Sequence, residues 1–176
     1  MIFEVEPSEQ GVKPILEMLR ENGVASVVIG GVAAIALGVP YTTFDVDIVY
    51  DPDPANIERL IGALTTVSAR LSVARMGDEE ARALPFALDA RTFRDNDMLT
   101  LQTDLGRLDL LKSIPGVGDY AAVRDASVEA EVAGVTFLVL DLPALIANKR
   151  ATARPKDIAI LPLIEATLRS RTQERL

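Results

Sequence analysis

Apolar residues recur at helical spacing over Glu9–Asn22, where Val12, Ile15, Leu16 and Leu19 share one face, Ser8 stands at the N-cap position and Asn22-Gly23 closes the helix. The β-branched run Ala25–Ile29 then reads as a buried strand, followed at once by Gly30-Gly31. Small apolar residues from Val32 to Leu37 suit a short helix ended by Gly38 and Pro40. Phe44–Tyr50 alternates strictly, which puts Asp45 and Asp47 on one face of a strand and Phe44, Val46 and Ile48 on the other. Asp51-Pro52-Asp53-Pro54 breaks that strand, and helical periodicity resumes over Ala55–Leu71. Short helices are expected at Asp78–Leu84 and Ala87–Arg94. Met98–Thr103 and Arg107–Lys112 form a hairpin around Asp104-Leu105-Gly106. A helical turn at Asp119–Val123 precedes a second strand pair, Val128–Val132 and Val135–Leu140, turning at Gly134. Leu142–Thr152 and Lys156–Arg171 close the chain as helices, with Pro155 at the start of the second. Strands and helices mix without a regular βαβ repeat, so the expected class is α+β (mixed α/β). The 176 residues are read as one domain, with 141–176 as a C-terminal helical segment.

Two counts narrow the chemistry that this framework can carry. The chain has no cysteine and no histidine, which removes disulfides, thiolate catalysis, Ser-His-Asp triads and imidazole metal ligands. Asp and Glu number 26 against 18 Lys and Arg, for a net charge of −8. Carboxylates bind hard cations such as Mg²⁺ through oxygen, so a metal held by Asp is the expected centre of any reaction. The charge is uneven: from Lys149 to Leu176 seven basic residues face three acids, so this tail is +4 and the remainder −12. No basic region followed by an apolar run opens the chain, and the longest apolar run, near Val24–Ile35, is too short to span a membrane. A soluble cytoplasmic protein is the expectation.

Three features could carry chemistry. Gly30-Gly31 between a strand and a helix lets backbone approach a triphosphate, or serves only as a tight turn. Asp45 and Asp47 on one strand face share one or two Mg²⁺ ions, or are solvated acids. Like charges this close repel unless a cation compensates them. Asp109 lies in the otherwise apolar Leu108–Leu111 and shares a face with Arg107 and Leu111. It is either a third carboxylate beside the first pair or the partner of Arg107 or Lys112 in a salt bridge.

In order and spacing these features resemble the nucleotidyltransferase superfamily that includes DNA polymerase beta. Its signature is an apolar residue with Gly-Gly, then Asp-x-Asp on the next strand, then a third carboxylate on a later strand. Here these read Ile29-Gly30-Gly31, Thr43-Phe44-Asp45-Val46-Asp47 and Leu108-Asp109-Leu110, with fourteen residues from Gly31 to Asp45. The chain is most similar to small prokaryotic members related to abortive-infection toxins. Their tails resemble Leu145-Ile146-Ala147-Asn148-Lys149 followed by Arg154-Pro155-Lys156-Asp157. The resemblance implies a mixed β-sheet packed with helices, and roles residue by residue. Gly30 and Gly31 would hold the nucleotide phosphates, and Thr42 or Thr43 would contact them. Asp45, Asp47 and Asp109 would be the catalytic carboxylates and Mg²⁺ ligands, with Asp109 activating the acceptor hydroxyl. Lys149 and Lys156 would balance phosphate charge, and Asp157 would orient a basic residue. Relatives carry a basic residue two positions before Thr43; Tyr41 stands there, where its ring can stack on a base.

The expected activity is Mg²⁺-dependent transfer of a nucleoside monophosphate from an NTP to a hydroxyl, releasing pyrophosphate. Two other readings stand beside it. One is a non-catalytic relative that binds a nucleotide or a protein. The other is a toxin–antitoxin component modifying RNA, with the basic tail as its contact. RNA, protein and small-molecule acceptors are all open, and no membrane partner is expected.

Overall fold

The computed structural model describes residues 11–73 and 76–173. The proposed Ser8 cap and the first residues of the Glu9–Asn22 helix lie outside them. Within them the first helix, α1, runs Val12–Glu21 and buries Val12, Ile15, Leu16, Met18 and Leu19. Strand β1 (Ser26–Ile29) is buried throughout, as its β-branched run requires. Helix α2 (Gly30–Ala36) starts on the first glycine rather than after the pair.

Strand β2 covers Val46–Tyr50, two residues shorter at its start than the alternation predicts. Phe44 therefore does not anchor the buried face; it is 63% exposed. Asp53 caps helix α3 (Pro54–Thr66) by accepting from the Ala55 and Asn56 amides, with Pro54 in the first turn. The helix stops five residues short of the expected Leu71. Ser68 takes a positive φ of 52°, the Val67 carbonyl accepts from the Asp104 amide, and Arg70–Leu71 becomes strand β3. Pairing with the sheet thus overrides the apolar periodicity.

Helices α4 (Asp78–Arg82) and α5 (Ala90–Asp95) fill the next stretch. The hairpin of β4 (Met98–Thr103) and β5 (Gly106–Leu111) follows, then β6 (Ser113–Ile114), β7 (Gly118–Asp119) and α6 (Tyr120–Asp125). A second hairpin, β8 (Ser127–Val132) and β9 (Val135–Leu140), leads to α7 (Leu142–Thr152) and α8 (Pro155–Gln173). Seven strands form one mixed sheet in the order β3-β4-β5-β2-β1-β9-β8, with β6 and β7 apart. Its centre is β5-β2-β1-β9, where β2 runs parallel to β5 and antiparallel to β1. Ile48, Leu108, Leu110 and Val139 on these strands are fully buried. No helix of the described residues is long and apolar enough to cross a membrane.

Asn56 ties α3 to the sheet. Its side chain is 1% exposed, accepts from the Ala25 amide at 2.7 Å, and donates to the Ala25 and Asp51 carbonyls at 3.0 and 2.8 Å. Removing it takes the side-chain partner from the Ala25 amide and the Asp51 carbonyl, each worth about 1 kcal/mol or more when buried, while the Ala25 carbonyl keeps the Asp51 amide. Asn56→Ala is expected to lower the unfolding free energy by about 2–3 kcal/mol in urea melts.

Candidate active site

Strand register brings the acids together. Ile29 pairs with Asp47 across β1 and β2, and Asp47 pairs with Asp109 across the parallel β2 and β5. Two carboxylates thus project abreast from neighbouring strands about 4.8 Å apart; Asp45 lies one residue ahead of β2, outside the strand that the alternation predicts for it. The chain needs glycine next to them. Gly30 has φ +66°, and a β-carbon there would run into the Asp47 carboxylate. At Gly31 a β-carbon would come within 2.9 Å of Thr43 and 3.0 Å of the Tyr41 ring. Gly30 therefore gives the acid room, and Gly31 lets Thr43 and Tyr41 pack close.

Helices α7 and α8 close the other side. Their corner at Ala153 takes a left-handed φ of 49°, which turns α8 back so that Asp157, fully buried, reaches α7. Asp157 accepts from Lys149 Nζ at 2.7 Å, Thr152 Oγ1 at 2.8 Å and Arg154 Nε at 2.6 Å. Burial alone would raise its pKa; these hydrogen bonds outweigh that and hold the carboxyl well below the usual range. Arg150, the next cation, pairs with Glu165 at 2.7 Å. Three cations of the basic tail thus meet two acids within the fold, Lys149 and Arg154 sharing Asp157, so this corner keeps a net positive charge.

Between the strand ends and this corner lies a cavity of about 400 Å³. Gly30, Gly31, Thr43, Asp45, Asp47, Asp109, Lys149 and Lys156 all line it. Thr42 is exposed and does not, so of the two threonines only Thr43 borders the cavity. Tyr41 also lines it, with its ring laid against Gly31.

Electrostatics single out Asp47. Burial, then the Asp109 carboxylate, push its pKa up to about 7; Lys149 opposes this, Asp45 adds to it and Lys156 again opposes. Asp109 is 6% exposed, and its Oδ1 has no hydrogen-bond partner. Arg107 lies 3.5 Å from that oxygen, a distance that gives an ion pair but not a hydrogen bond, and 3.9 Å from Asp45 Oδ2. The salt bridge expected for Asp109 therefore forms with Arg107, while Lys112 pairs with Asp97.

Among the described residues no three acids are gathered tightly enough to cage a metal ion alone. The donor set nevertheless fits Mg²⁺. It offers three hard carboxylates facing one cavity, one with an orphaned buried oxygen and one whose charge burial disfavours. Arg107 stands where a cation would be attracted. Arg107→Gln is expected to tighten Mg²⁺ binding severalfold, seen as a larger Mg²⁺-induced rise in Tm. An equal or smaller rise would show that the guanidinium does not compete.

No protein-family model matches the sequence, and no curated protein does. Solved structures do. The lincosamide antibiotic adenylyltransferase LnuA, with lincomycin bound, aligns over 92% of this chain and 99% of its own at 15% identity and TM-score 0.62. The fold is that of the nucleotidyltransferases. The antibiotic-resistance factor ANT(2'')-Ia, also solved with adenylyl-2''-tobramycin, aligns over 93% of this chain and 90% of its own at 15% identity and TM-score 0.57. The nucleotidyltransferase fold expected from Ile29-Gly30-Gly31, Asp45-x-Asp47 and Asp109 is thus the observed one. Thr152 and Arg154 carry no role in the sequence reading, and Arg107 only that of an ion-pair partner for Asp109. Arg154 was legible three positions before Asp157, whereas Arg107 pointed only to Asp109 and gave no hint of Asp45.

Proposed function

We propose that the chain transfers a nucleoside monophosphate from an NTP to a hydroxyl acceptor. The observation that carries this reading is the abreast placement of Asp47 and Asp109, with Asp45, opposite Gly30-Gly31 and the Lys149–Asp157–Arg154 corner in one cavity. Gly30, Gly31 and Thr43 bound the end where backbone without a β-carbon would let a triphosphate approach. Lys149, Arg154 and Lys156 supply positive charge for a triphosphate there, and Asp157 fixes the first two. The acceptor oxygen attacks the α-phosphorus, the bond from that phosphorus to the β-phosphate oxygen breaks, and pyrophosphate leaves. Asp109 would take the hydroxyl proton. Mg²⁺ on Asp45, Asp47 and Asp109 would stabilise the charge developing on the phosphates. Adenylyl transfer to antibiotics by the structurally similar enzymes supports a small-molecule acceptor.

The non-catalytic reading draws on one observation, the Arg107 contact with Asp45 and Asp109, which could neutralise the acids permanently. Incubation with each α-phosphate-labelled NTP, Mg²⁺ and cell extract separates the two. Transfer predicts label in an extract component; nucleotide binding with no label transferred supports the non-catalytic relative.

A further inference from the structure

The β4–β5 hairpin has one buried face and one open face, and the open face runs past the reactive acid. On β4, Leu99, Leu101 and Thr103 are buried, while Met98 is 50% exposed and Thr100 and Gln102 are half-buried. On β5, Leu108 and Leu110 point to the buried face, and on the other face Asp109, 6% exposed, sits recessed between the exposed Arg107 and the half-buried Leu111. Register sets Met98 beside Leu111, Thr100 beside Asp109 and Gln102 beside Arg107. The open face is thus a ledge, apolar at the Met98–Leu111 end and polar at the Gln102–Arg107 end, with Asp109 at its middle. From Met98 to Gln102 it spans about 13 Å, the length of a sugar- or drug-sized molecule.

Both ends open into hollows. Met98 and Leu111 continue into the main cavity beside Ile114 and Pro115, away from Gly30-Gly31. Gln102 and Arg107 border a second, shallower hollow with Asp45 and the exposed Phe44 ring. The cations along the ledge are matched to acids: Arg107 to Asp45 and Asp109, Lys112 to Asp97, Arg70 to Asp104. A polyanion such as RNA needs basic groups to neutralise its phosphates, and these are already engaged.

We infer that the ledge is the acceptor subsite and takes a small, uncharged amphipathic molecule. Its apolar part lies on Met98 and Leu111, and its hydroxyl reaches Asp109 between Thr100 and Gln102. This rests on the transferase reading above and names its substrate class.

The test measures binding to the full chain with Mg²⁺ and a non-hydrolysable ATP analogue. The probes are butyl glucoside (uncharged, hydroxylated, apolar at one end), tobramycin as a polycation and an RNA oligonucleotide as a polyanion. Met98→Glu, at an exposed site, reports on the ledge without disturbing the core. Butyl glucoside is expected to bind, and Met98→Glu to weaken it about tenfold or more while nucleotide affinity stays within about twofold. Tighter binding of the RNA or of tobramycin than of butyl glucoside would overturn the ligand class. Loss of nucleotide affinity in Met98→Glu would assign the ledge to the base instead. Nucleotide binding with no butyl glucoside binding would overturn the subsite and leave the transferase reading standing. Absence of nucleotide binding in the wild type would overturn both.

Discussion

Asp47→Asn is expected to abolish the proposed nucleotidyl transfer, with the rate falling about 10³-fold or more, yet to make the metal-free protein more stable above neutral pH. Both effects have one cause. Burial and the neighbouring Asp109 push the Asp47 pKa from 3.8 up to about 7, so the fold prefers this acid protonated. Stability from that preference is complete below pH 3.8 and is lost as pH rises through about 7. By about pH 8 the charged acid costs the apo-protein on the order of 2–4 kcal/mol. Asparagine carries no charge and escapes that cost. Melting curves of the metal-free proteins should therefore diverge between pH 4 and pH 7, with Asp47→Asn the more stable, and coincide more closely in acid. Mg²⁺ should narrow the gap by stabilising the wild type alone. Parallel pH profiles would remove the argument that the site is strained until a cation arrives.

Asp157→Ala has the opposite sign and a comparable size. The carboxylate is fully buried and accepts from Lys149, Thr152 and Arg154, so its removal leaves Lys149, itself nearly buried, without its anion. Breaking one side of such a cluster typically costs about 3–5 kcal/mol. The pKa of Asp157 is held below its unfolded value of 3.8. Its contribution is therefore present above that pH and is lost as pH falls through the folded value. At neutral pH the variant should melt well below wild type, and the difference should shrink below pH 4. Asp157→Asn keeps the shape and one acceptor; it should fold, with the KM for NTP raised more than kcat is lowered. A drop in kcat alone would mean that Asp157 does not position the cations that meet the triphosphate.

Much of this was legible in the sequence, for reasons specific to each element. The hairpins read clearly because Met98–Thr103 and Val135–Leu140 alternate or run β-branched on either side of turn residues. Asp109 stood out as an acid flanked by buried leucines. The ends of elements were harder. Phe44 looked like a strand residue because it continued the alternation, but pairing begins only at Val46. Leu71 completed a helical stripe, but the sheet edge captured it as β3. The site's cations were legible by type and not by partner. Nothing local says that Arg107 reaches across to Asp45 or that Asp157, eight residues beyond Lys149, folds back to meet it. Those contacts depend on the strand order and on the left-handed corner at Ala153.

The most direct measurement of the central claim is pyrophosphate release from each NTP, with Mg²⁺ and cell extract as the source of acceptor, by wild type and Asp47→Asn together at about pH 8. The account predicts metal-dependent release by the wild type and none by the variant, although the variant is the more stable of the two. Release at equal rates by both, or by neither, would contradict it.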